Sequence, residues 1–179
     1  MIYLREICRD DVEIINSWRN DPNISKTLCA PFRYVNVDTD IHWYESYLKN
    51  RQNQVRCAVC DTDKGIVGIV NLLNIDSVSK NSELSIIIGH DFQNQGYGKK
   101  ATIEMLHHAF YNLNLHKVYL YVLQNNFHAL RLYESIGFLK EGLLREYVYK
   151  MGSYHNLLIM GIFQSEFRAE FHPSMTEVT

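Results

Sequence analysis

The chain has no apolar run long enough to span a bilayer and no charged-then-apolar leader at Met1. The cytoplasm is therefore the expected location, with no membrane partner. It has no basic surplus either. Eighteen Lys and Arg stand against twenty Asp and Glu, a formal charge of -2, which argues against a general nucleic-acid binder. Internal repeats, low-complexity blocks and linkers are missing too. The 179 residues, 46% of them hydrophobic, thus read as one domain with a sizeable core. That domain is expected over residues 1–164, with a polar, loosely held tail over 165–179. Cysteine is scarce, four in all, and only Cys57 and Cys60 lie close together, as C-x-x-C. The stretch VRCAVCD reads as a strand, which sends positions three apart to opposite faces. No second pair with metal-ligand spacing follows. Buried thiols are expected there, and no metal site.

What is present alternates between two periods. Apolar alternation predicts strands over 2–7, 55–61, 66–75, 83–89 and 117–124, and a final hairpin, 138–150 with 154–163. Helical spacing predicts helices over 9–20, 38–50, 99–113 and 126–135. Asp10 or Asp11 is expected to cap the first helix and Asp21-Pro22 to end it. Gly137 is expected to end the last. The order β-α-α-β-β-β-α-β-α-β-β implies an α+β domain: one mixed, mostly antiparallel sheet with helices packed on it.

One stretch carries chemistry. The strand beginning at Glu83 runs through Ile86, Ile87 and Ile88 into Gln93-Asn94-Gln95-Gly96-Tyr97-Gly98, and then into a helix beginning at Lys99-Lys100. Two glycines two apart allow a tight bend close to a ligand. A helix start offers unpaired amides and about half a positive charge. The two lysines add full charges, and such a place binds phosphate. Gly96 to Ala101 also satisfies G-x-G-x-x-A. A dinucleotide site, however, needs that motif after its first strand and an acidic residue about 20 residues on. KVYLYVLQ holds no Asp or Glu. G-x-x-x-x-G-K-[ST] is absent, which excludes a nucleotide P-loop. A glycine turn without a ligand fits the two lysines poorly.

Gln93 to Gly98 matches Q/R-x-x-G-x-G/A, and Asn126-x-x-Ala129-x-x-x-Tyr133-x-x-x-Gly137-Phe138 follows at the right separation. Together these resemble the two halves of the GNAT N-acetyltransferase signature, and the resemblance covers roughly residues 2–163. Residues 83–154 look most like the bacterial branch holding spermidine and ribosomal-protein N-terminal acetyltransferases. Trp18-Arg19-Asn20-Asp21-Pro22 resembles enzymes acting on nucleotide-linked amino sugars.

The resemblance implies a GNAT-like sheet with a V-shaped splay between the strands at 86–88 and 117–124, and acetyl-CoA as cosubstrate. It implies that the backbone of Ile86, Ile87 and Ile88 holds the pantetheine arm, and that an N–H of Ile87 or Ile88 polarises the thioester. The pyrophosphate would rest on amides from Gln93 through Asn94, Gln95, Gly96, Tyr97 and Gly98 to Lys99, with Lys100 adding charge. Asn126 would bond the arm from the far side. Tyr133 is implied as the acid for the leaving thiolate, and Glu83 is the candidate base, directly or through water. The acceptor is expected to be a small-molecule amine, an amino sugar or a polyamine, held by residues 18–34, 38–47 and Tyr147, Tyr149 and Tyr154. Residues 23–37 lack the acidic side chains that the polyamine branch uses there. The alternatives are a protein N-terminal acetyltransferase and a silent acetyl-CoA-binding module. His107, His108 and His116 read as structural, whereas His128 and His155 fall near the expected site. Many relatives are dimers, so a homodimer is the expected assembly.

Overall fold

A computed structural model of the chain describes residues 1–167. Seven strands form one sheet in the order β1-β2-β3-β4-β5-β7-β6. They are β1 (Ile2–Glu6), β2 (Val55–Asp61), β3 (Gly65–Asp76), β4 (Asn81–Ile88), β5 (Lys117–Leu123), β6 (Leu139–Lys150) and β7 (Ser153–Phe163). Every neighbouring pair is antiparallel except β4 with β5. A parallel pair needs a crossover connection, and the helix α4 (Tyr97–His107) provides it. The β6–β7 hairpin turns at Met151 and Gly152, both at positive φ (49° and 82°), as a tight two-residue turn requires.

Alternation along the strands divides the apolar side chains between two faces. In β2, Val59 and Cys57 pack beneath α4 and α5 (Phe127–Ile136), among Leu106, Phe110, Ile136 and Phe138. Ala58 and Cys60 face the other way, beneath α1 (Val12–Asn20), α2 (Pro22–Ser25) and α3 (Val37–Lys49), among Ile15, Trp18, Ile24 and Tyr47. The two cysteines of C-x-x-C thus lie on opposite faces as free thiols. α1 is tied to α3 by the fully buried Asp40, which pairs with Arg19 and accepts from Asn16 Nδ2 at 2.7 Å.

Two local expectations change. Asp11 does not cap α1. Its carboxylate is held by Arg5 at 2.7 and 2.8 Å and accepts from the Cys8 amide at 2.8 Å, which is a stronger use of a buried charge. The helix expected over 99–113 starts at Tyr97 and leaves the α register at His108, where a π turn, His108–Asn112, carries the chain out. At the end of the described residues, Gln164–Glu166 is a 3-10 turn and Phe167 is buried against Phe110, 5.6 Å between ring centroids. The rest of the expected tail, 168–179, lies outside the described residues. No helix among the described residues is long and apolar enough to cross a membrane.

Phe110 lies at the centre of the larger cluster, 1% exposed. Phe110→Ala should lower the unfolding free energy by about 3–5 kcal/mol, read from urea denaturation. A loss below about 1 kcal/mol would contradict this packing.

Candidate active site

The β4–β5 ladder is only three residues long: Asn81 with Lys117, Ser82 with Val118 and Glu83 with Tyr119. Beyond it β4 runs on to Ile88 and β5 to Leu123 without pairing, so the sheet opens into a V with Glu83 at its vertex. The β3–β4 register decides which backbone groups line the opening. Gly89 N–H donates to Val67 O at 3.0 Å, and antiparallel pairs alternate between bonded and non-bonded. Ile87, opposite Ile69, therefore turns its N–H and C=O to β3, whereas Ile86 and Ile88 turn theirs into the gap. The Ile88 carbonyl accepts from Gln93 Nε2 at 3.1 Å. Of the two amides expected to face a thioester, the register favours Ile88 over Ile87. The Ile87 side chain packs in the opposite core with Ile69 and Trp18.

The bend after β4 leads into α4. Gly96 stands at the helix N-cap with φ 83°, and a Cβ built there meets nothing within 4 Å. The restriction at Gly96 is thus its left-handed backbone, with open space in front of it. At Gly98 the reason is packing: a Cβ would come within 3.2 Å of Leu132 Cδ1 on α5. The first bond inside the helix is Lys100 N–H to Gly96 O, 3.2 Å, so the amides of Tyr97 and Gly98 have no intrahelical acceptor. The other side chains of the bend have structural duties. Tyr97 is buried edge-to-face with Phe92, and Gln95 donates to Asp91 O at 2.8 Å and accepts from Lys64 at 2.9 Å. Lys100 is exposed, whereas Lys99 lines the opening with Asn94.

These elements enclose a cavity of about 990 Å³, which runs from Glu83 at the vertex to Gly96, Gly98 and Lys99 at the helix start. Five residues of strand separate Glu83 from Ile88, about 16 Å. Glu83 is half-buried. Burial pushes its carboxyl above the usual range, and a bond from Asn74 Nδ2 at 3.2 Å partly offsets this. On the α5 side, Asn126 caps the helix by accepting from the Ala129 amide at 3.2 Å, which leaves its NH2 group for a ligand. Tyr133 lines the same cavity, and burial together with the Cys29 thiol raises its phenol well above the ordinary value.

Residues 27–30 close the far wall. Cys29 donates from Sγ to Tyr121 O at 3.4 Å, and burial pushes its thiol up to about 11. Sequence reasoning did not single out Cys29, Ser85 or Tyr121, all of which line the cavity; the alternation of tyrosines against apolar residues in β5 was the signal for Tyr121. Of the aromatics expected here, Tyr147 lines the cavity. Trp18 and Tyr47 belong to the core, and Tyr149 and Tyr154 meet edge-to-face outside the cavity, 5.1 Å between ring centroids. His128 is at the wall, whereas His155 contacts Ser153 Oγ at 3.0 Å on the hairpin.

The cavity fits the coenzyme implied by the motifs: an open left-handed glycine before free amides, a cation beside it, and an unpaired strand edge leading to a carboxylate. Comparison with known proteins gives the same reading. The family model described as an acetyltransferase (GNAT) domain matches residues 2–139. Spermidine N(1)-acetyltransferase of Vibrio cholerae serotype O1 is 33% identical over 165 residues, covering 92% of this chain and 94% of that protein. The crystal structure of spermidine N-acetyltransferase from Vibrio cholerae with CoA and spermine superposes with a TM-score of 0.87 at 31% identity, over 92% of this chain and 96% of that one. A dodecameric structure of the Vibrio cholerae enzyme gives 0.81 at 30% identity, over 92% and 94%. The chain belongs to the GNAT acetyltransferase family and is an acetyl-CoA-dependent N-acetyltransferase.

Proposed function

We propose that the acceptor is a small-molecule primary amine that enters the cavity on the Glu83 side, and that polyamines are the class to test first. One observation carries this reading: the cavity has opposite polarity at its two ends. Lys99 and the α4 amides mark one end, and the half-buried Glu83 marks the other. An anionic cosubstrate and a cationic acceptor are drawn to different ends and meet along the free edge of β4. The polyamine class is supported by the spermidine acetyltransferases among the relatives. Among the described residues Glu83 is the one carboxylate lining the cavity, and residues 23–37 supply none. A second ammonium would therefore rest on the faces of Tyr121 and Tyr147, where cation–π contact replaces a counter-charge. The dodecameric relative supports self-association of this chain.

The residues divide the chemistry as follows. Acetyl-CoA supplies an activated acyl group as a thioester. An alkylammonium has a pKa near 10, so its reactive form costs roughly 4–5 kcal/mol at neutral pH. Glu83, directly or through water, takes that proton, and its raised pKa makes it a better acceptor than an ordinary carboxylate. The Ile86 amide, which the register also turns into the gap and which lies three residues from Glu83 rather than five, donates to the carbonyl oxygen as negative charge develops. The NH2 group of Asn126 steadies the arm from α5. Tyr133 gives its proton to the departing sulfur. A phenol raised by burial stays protonated at neutral pH, as a donor must.

Three measurements test these roles. Tyr133→Phe should lower kcat roughly tenfold to a hundredfold and leave coenzyme affinity, measured calorimetrically, nearly unchanged; full turnover would remove Tyr133 as the acid. Gly96→Val forces a branched side chain into the left-handed region, at a cost of about 1–2 kcal/mol, and places it where the pyrophosphate would lie. Acetyl-CoA affinity should fall at least about tenfold, and unaltered affinity would refute this phosphate site. Glu83 must be ionised to accept a proton, so kcat/KM for the wild type should fall as pH drops through its raised pKa. Glu83→Gln should be slow and lack that acid limb. An intact limb in the variant would assign the base elsewhere.

A further inference from the structure

Lys150, the last residue of β6, is 7% exposed, and its charge has no carboxylate partner among the described residues. Its Nζ instead donates to three main-chain carbonyls: Ser25 O at 2.5 Å, Leu28 O at 2.6 Å and Ala30 O at 3.0 Å. An ammonium has three N–H donors in a tripod, and all three are used. The carbonyls belong to one short stretch, from the end of α2 to the residue before Pro31. That stretch carries Thr27, Leu28, Cys29 and Ala30, which wall the cavity opposite β4. The same stretch is tied to the open arm of the V through Cys29 Sγ and Tyr121 O. Residues 25–30 have no regular secondary structure after Ser25, so their carbonyls have few partners of their own. Losing the ammonium would remove the one donor that ties the Leu28 and Ala30 carbonyls to β6, whereas Ser25 O would keep the Leu28 amide, and the stretch would be free to move away from the sheet.

We propose that Lys150 is a positioning residue for the acceptor: its ammonium clamps residues 25–30 against the sheet and so shapes the acceptor side of the cavity. The coenzyme side, built from β4, α4 and α5, does not depend on this clamp. The inference rests on the reading that the amine acceptor binds beside Glu83. An apolar side chain of similar length has no donor for the cage, a glutamine amide has two rather than three, and arginine offers a planar fork where a tripod is needed. The clamp is therefore specific to a primary ammonium.

Lys150→Met keeps the length and removes the donors. Its acceptor KM should rise about tenfold or more, the equivalent of one lost charge-assisted hydrogen bond, while its affinity for acetyl-CoA stays within about twofold of the wild type. Amides of residues 25–30 should exchange faster with deuterium in the variant than in the wild type. Lys150→Ala leaves a space shaped for n-propylammonium. That ion, added to the variant, should lower the acceptor KM, whereas n-propanol should not, and the wild type should gain nothing from either. An unchanged acceptor KM with unchanged exchange would overturn the proposal. So would equal losses of acceptor and acetyl-CoA binding, or rescue by the alcohol as good as by the ion. If the wild type acetylates no amine, the assigned acceptor site fails; the exchange comparison then still decides whether Lys150 holds the loop. Lys150→Leu, which likewise has no donor, serves the same comparison if either variant fails to fold.

Discussion

Everything in the cavity follows from the early end of one hydrogen-bonded ladder. β4 and β5 pair through Glu83 and Tyr119 and then part, although both strands continue. Strand edges inside a protein carry polar groups that must be satisfied. Here the Ile86 and Ile88 backbone is offered to whatever enters the gap, in the manner of a missing strand. The parallel pairing matters as much as the gap. Because β4 and β5 run in the same direction, α4 must cross between them, and its N-terminus comes to rest at the open end of the V. One topological choice thus sets the free edge, the phosphate end and the vertex carboxylate at fixed spacing along a single strand.

The second constraint is that the walls of the gap are held from outside it. Gly98 lets α4 and α5 approach closely through Leu132, which brings Asn126 and Tyr133 over the edge of β4. On the opposite side, residues 27–30 are held by contacts with β5 and β6, both distant in sequence. The coenzyme side is made of regular elements and the acceptor side of irregular chain. This division allows relatives with one fold and one cosubstrate to differ in the amine they accept, since irregular chain tolerates change better than packed helices do.

Much of this was readable beforehand, and the failures share a cause. Strands and helices with clean periods were correctly placed, as were the final hairpin and the cap at Gly137, because those signals are local. The two halves of the GNAT signature are local as well, and the family they imply is the one that the comparisons show. Asp40 lies in the first turn of α3, and no local signal marks it as buried. It is buried because Arg19 and Asn16, on another helix, reach it. Trp18 was placed at the acceptor pocket and lies instead in the core beneath α1; sequence gives the face of a helix but not what covers it. Lys150 showed no signal at all, since its partners are carbonyls more than a hundred positions away, and carbonyls belong to every residue. The choice between Ile87 and Ile88 needed the register of β3 on β4, which a one-residue slip would reverse.

Cys29 raises a question of chemical selectivity. A thiol at the wall of a cavity built for a thioester is a rival nucleophile, and transfer to it would be a near-isoenergetic exchange of one sulfur for another. With its pKa pushed up to about 11, only about one such thiol in ten thousand is ionised at pH 7. Its proton is also committed to the Tyr121 carbonyl. Burial thus keeps this thiol protonated and leaves the acyl group for an incoming amine.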